Sequence, residues 1–201
     1  MRVGISQKVL AVIAAGILAF SFSACSVKDD YDVSAYVKGM LDSSYKAQDA
    51  EKDGGAYSAT TCSNAAVRFF EKYNMNATDE QTAAMAEVFK KAYANSKYTV
   101  REKTEASYGF DVVVEYDVQT TIQNLEQDIW NRRAEAEKDG KALDVGAGYI
   151  DKVISLCDNS VEAATYSGSG TVSFDIRVDE QKNLSINVNL FDKLDIDILP
   201  V

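Results

Sequence analysis

The chain has 201 residues, with 21 Lys and Arg against 31 Asp and Glu, no His, and a formal charge of −10. That acidity repels phosphate backbones and anionic headgroups, which argues against nucleic-acid binding, and the missing imidazole excludes Ser-His-Asp and Cys-His nucleophile systems and His-ligated zinc. A hydrophobic fraction of 46% with 10% aromatic residues belongs to a chain that folds.

The first 25 residues read as an export signal. Arg2 and Lys8 precede an apolar run from Val9 to Phe22, too short to span a bilayer, and Ser23 and Ala24 supply the small residues expected before a cleavage site. Phe22-Ser23-Ala24-Cys25 resembles the lipobox of bacterial lipoproteins, which implies a thiol carrying diacylglycerol, with acyl chains such as palmitate, at Cys25. An ordinary secretory signal cut near Ala24 is the other reading. Residues 1–24 are therefore expected to be signal peptide, 25–31 a lipidated Cys with a short tether, and 32–201 one domain. Removing Arg2 and Lys8 takes the formal charge from −10 to −12, so the hold on the membrane must come from the lipid. The six residues between Cys25 and Asp32 reach only about 20 Å, which keeps the domain close to the bilayer.

Val33, Tyr36, Val37, Met40 and Leu41 lie on one helical face behind Asp32 or Ser34 as N-cap and predict a helix ending near Ala47. A second helix is predicted over Ser58 to Tyr73, with Ala66, Phe69, Phe70 and Tyr73 on one side. Thr78 and Gln81 form a capping-box pair ahead of a stripe of Met85, Val88, Phe89, Ala92 and Tyr93. The period then becomes two: Lys97 to Glu105 and Tyr108 to Tyr116 predict a hairpin, with Phe110, Val112, Val114 and Tyr116 inward. Val118, Ile122, Leu125 and Ile129 predict a fourth helix from about Asp117 to Glu137, and Val145 to Cys157 marks a fifth, ending near Asn159. The segment Ser167 to Gly170 reads as a bend or bulge. Val172, Phe174, Ile176 and Val178 then alternate against Leu184, Ile186, Val188 and Leu190 as a second hairpin.

The expected fold is α+β: a mainly antiparallel sheet of two hairpins with about five amphipathic helices on its apolar face. The runs Tyr31 to Lys46 and Thr78 to Val100, followed by the Tyr108 to Tyr116 strand, resemble uncharacterised small lipoproteins of Gram-positive anaerobes, of the kind grouped as domains of unknown function. The resemblance implies an extracytoplasmic, lipid-anchored location and a fold class. It carries no activity.

Candidate chemistry is sparse. Cys62 and Cys157 either form a disulfide, as an exported chain permits, or Cys157 is a small buried hydrophobe on its helical stripe. Trp130 sits one residue past the stripe position Ile129, so it either contacts a partner from the surface or packs against the fifth helix. Asp111, Glu115, Glu126 and Asp175 are spaced as solvated faces. Asp192, Asp195 and Asp197 lack the spacing of a calcium loop and read as a solvated terminal strand. No catalytic residue, metal ligand or cofactor is expected. The expectation is a non-enzymatic protein at the extracytoplasmic face of the cell membrane that binds an envelope protein or ligand. The alternative is a cell-envelope hydrolase using paired carboxylates.

Overall fold

A computed structural model describes residues 32–46, 55–138, 147–179, 183–187 and 189–201. The signal, Cys25 and the tether lie outside these residues. Helix α1, Val33–Tyr45, starts where its cap requires: the Asp32 carboxylate accepts from the Ala35 amide at 2.9 Å. Helix α2, Gly55–Lys72, begins three residues before the predicted start. Helix α3, Asp79–Ala94, opens on the predicted box, the Thr78 hydroxyl accepting from the Gln81 amide and the Gln81 side chain accepting from the Thr78 amide.

Strands β1, Tyr98–Ala106, and β2, Gly109–Gln119, form the first hairpin, with a register slip after Val100. The fourth predicted helix starts too early. Residues 117–119 continue β2, a 3-10 turn follows at Gln123–Leu125, and helix α4 is only Glu126–Lys138. Helix α5, Ala147–Val161, leads into strand β3, Tyr166–Val178. The second hairpin is shorter than its alternation predicts, since β4 is only Leu184–Ile186. Asn189–Ile198 is a sixth helix, α6, where a terminal strand was expected.

The sheet order is β1-β2-β3-β4, antiparallel throughout. Its buried face carries Val112, Val114, Tyr116, Val172, Phe174 and Ile176. Helices α1 and α6 pack on the sheet, α2 and α3 lie beyond them, and α5 joins α3 to α4. Phe191 of α6 meets Phe174 of β3 with ring centroids 4.9 Å apart, so the sixth helix closes the sheet's apolar face.

The Ser167–Gly170 segment is the expected bulge. Between Asp117 paired with Ser169 and Gln119 paired with Tyr166, β2 advances two residues while β3 advances three, and Gly168 takes φ 82°. At Gly170 the constraint is space. A Cβ there would stand 2.4 Å from the Tyr116 hydroxyl oxygen, which is itself 3.3 Å from Asp197 Oδ2.

Candidate partner-contact site

Trp130 projects from α4 with 39% of its surface exposed. Its ring stands edge-on to Tyr73 at the end of α2, centroids 5.5 Å apart and planes at 61°, and the Arg133 guanidinium lies 5.6 Å from the indole. Arg133 also donates to the Tyr73 carbonyl at 3.0 Å and to Glu137 at 3.0 Å. Lys72 stands over the Tyr73 ring and 3.7 Å from Glu126. Below, the Tyr149 hydroxyl donates to the Ile129 carbonyl at 2.9 Å, tying α5 to α4. Burial first, then the Glu126 charge, pushes the Tyr73 hydroxyl up to about 12, so it stays neutral under ordinary conditions. The indole is thus held on one side and open on the other, as a rigid aromatic contact requires. An open depression of about 340 Å³ lies between α4 and α5, lined by Arg132, Asp151, Lys152, Ser155, Leu156 and Asn159.

Cys62 on α2 and Cys157 on α5 are both buried and are not joined in the disulfide the sequence allowed; α3 packs against both helices. Burial pushes the Cys157 thiol from 9.0 up to about 12, the opposite of an activated nucleophile.

Two of the four singled-out carboxylates are cross-strand neighbours. Asp111 and Asp175 face each other across β2 and β3 on the open side of the sheet, and Asp111 accepts from the Tyr108 hydroxyl. Glu115 instead pairs with Arg101, and Glu126 with Lys72. Among the described residues no three Asp, Glu, Cys or His side chains come together as a metal site.

The interior holds a polar cluster that sequence reasoning missed. Asp195, read as solvated, is buried on α6. Its carboxylate accepts the Tyr45 hydroxyl at 2.6 Å and the Thr61 hydroxyl at 3.0 Å, while its main-chain carbonyl accepts the Tyr93 hydroxyl at 3.1 Å. Burial and the Asp195 charge hold Tyr93 far above its ordinary pKa, and nearby Arg68 opposes that rise. Donors from α1, α2 and α3 thus converge on one residue of α6. Such saturation suits a structural clasp better than a reacting group.

No family model matches the chain, and no curated protein matches it. Among solved structures it is similar to the Bacillus subtilis protein YcdA, described as a putative lipoprotein, with a TM-score of 0.58 and 11% identity over 84% of this chain. The match covers 55% of YcdA, so the chain spans about half of that protein. At this identity the likeness concerns the fold. Among the described residues no helix is long and apolar enough to cross a membrane.

Proposed function

We propose that this chain is a lipid-anchored protein of the extracytoplasmic face of the cell membrane that binds an envelope protein or ligand without catalysis. The observation that carries the reading is the order Arg2, Lys8, apolar run, Phe22-Ser23-Ala24-Cys25, which offers a thiol for alkylation by diacylglycerol directly after small residues. The fold it shares with YcdA, described as a putative lipoprotein, supports the anchor, and the resemblance of Tyr31 to Lys46 and Thr78 to Val100 to small lipoproteins of Gram-positive anaerobes points the same way. Binding is supported by Trp130, exposed yet fixed by Tyr73 and Arg133.

Two measurements test it. Cys25→Ala in the full chain should move the protein from the membrane fraction to the soluble extracytoplasmic fraction; unchanged retention overturns the anchor. A photo-cross-linker placed at Asn131, beside Trp130, should capture one envelope component from native membranes, with capture lost in Trp130→Ala. Capture that is diffuse, or indifferent to Trp130, overturns the contact.

A further inference from the structure

Strand β3 is the longest in the sheet, yet only Ile176–Val178 pairs with β4. From Ser169 to Asp175 its ladder to β2 runs without a shift, while no described strand pairs with its other side. Seven residues at about 3.3 Å each leave roughly 23 Å of edge, with alternate N–H and C=O groups pointing away from β2. The edge is accessible: Ser167, Gly168, Ser169, Thr171 and Ser173 are all exposed.

The two edges of the sheet are treated differently. On β1 the register slips after Val100, and Arg101, Lys103 and Glu105 break up the strand with charge, which are devices that discourage pairing. On β3 the bulge ends at Ser169, and there is no charged residue from Tyr166 through Phe174. Among the described residues this edge is regular and unguarded, the geometry that strand addition uses.

Charge selects the occupant. Asp175 lies directly opposite Asp111, and like charges in that relation repel. Glu115, which Arg101 neutralises, and Asp117, paired with Ser169 near the other end of the edge, lie on the same open face. A cation on an added strand, next to Asp175, relieves the repulsion. On the inner side Val172 and Phe174 are buried against the α6 layer, so inward positions of an added strand meet apolar neighbours. A second copy pairing through its own β3 does not meet these demands. That edge has no cation from Tyr166 through Ile176, and the copy carries the same net negative charge.

We infer that the open edge of β3 accepts an extended basic segment of a partner protein as a fifth strand, with Lys or Arg beside Asp175 and apolar residues on alternate positions above α6. This goes beyond the reading of Trp130, which lies on another element, and it depends on neither that contact nor the lipid.

The test uses the full chain in detergent and a fluorescent nine-residue peptide of alternating Lys and Val, read by anisotropy at physiological salt. Binding is expected, and it should be lost with Glu in place of Lys and weakened in Asp175→Asn, whose fold is checked by circular dichroism. Two further peptides carry N-methyl groups, one on every Lys amide and one on every Val amide. An added strand points only one of these sets at β3, so one version should lose at least about tenfold in affinity while the other binds. Equal binding by both would mean charge attraction alone, and loss of both or no binding of the parent peptide would exclude edge pairing; each overturns the proposal. Disulfide cross-linking of Ser173→Cys into a dimer at micromolar concentration would assign the edge to a second copy and also overturn it.

Discussion

Tyr45 on α1 and Asp195 on α6 stand 150 residues apart in the chain, and their side chains meet at 2.6 Å inside the protein. Tyr45→Phe keeps the ring and its stacking on Tyr93, whose centroid is 5.4 Å away, but removes a donor from a buried carboxylate. The expected cost is about 1–3 kcal/mol, since a buried acceptor then lacks one of its partners. Urea unfolding measures it. An unchanged midpoint would show that the carboxylate does not depend on this hydroxyl. In the double variant with Asp195→Ala, the Tyr45 substitution should cost much less than it does alone.

Alkaline pH should weaken the fold through groups whose neutral forms it buries. The Cys157 thiol moves from 9.0 to about 12 on folding, and the Tyr73 hydroxyl from 10.0 to about 12. Both contributions are complete below the unfolded pKa. Above it the unfolded chain releases a proton that the folded chain keeps, so stability falls from about pH 9 upward and the contribution is gone near pH 12. Each full proton difference sets a slope of about 1.4 kcal/mol per pH unit. Cys157→Ala should flatten the decline by close to one proton in unfolding series at several pH values. Parallel curves would count against the burial argument.

Gly170 leaves room for the Tyr116 ring, so Gly170→Ala should destabilise by about 1–3 kcal/mol through overpacking. Tyr116→Val removes the obstacle at its own cost. The pair should therefore be far from additive, with the alanine nearly neutral in the valine background. Additive losses in a double-mutant cycle would place the strain elsewhere.

How much of this was legible depended on whether the determining contacts were local. Asp32, Thr78 and Gln81 announce their helices because a cap bonds within three residues. The alternation of Val112, Val114 and Tyr116 announces β2 because one face meets one core. The stripe Val118, Ile122, Leu125 and Ile129 misled. A strand end, the turn after it, a 3-10 turn and a helix each turn one of those residues toward the same interior, so their spacing imitates a continuous helix. Past Ile186 the alternating run also satisfies the helical set Phe191, Leu194 and Ile198, and packing on Phe174 decides between them. Asp195 was illegible, because Tyr45 and Thr61, which satisfy it, lie 150 and 134 residues away. Trp130 was half legible: its position off the stripe showed exposure, while its edge contact with Tyr73 needed the fold.

Because Trp130 leans on Tyr73 from outside, Trp130→Ala should cost only about 0.5–1.5 kcal/mol, the worth of one aromatic pair, and should leave the circular dichroism spectrum intact. Loss of several kcal/mol in thermal unfolding would mark the indole as structural.

The position of α6 also sets a schedule for folding. Residues 189–198 lie against β2, β3 and α2, and they bring the carboxylate on which α1, α2 and α3 converge. While they are still in the ribosome, the sheet's apolar face is uncovered and the hydroxyls of Tyr45 and Thr61 have no acceptor in Asp195. Packing of the sheet's apolar face and of these hydroxyls is thereby held back until residues 189–198 are available.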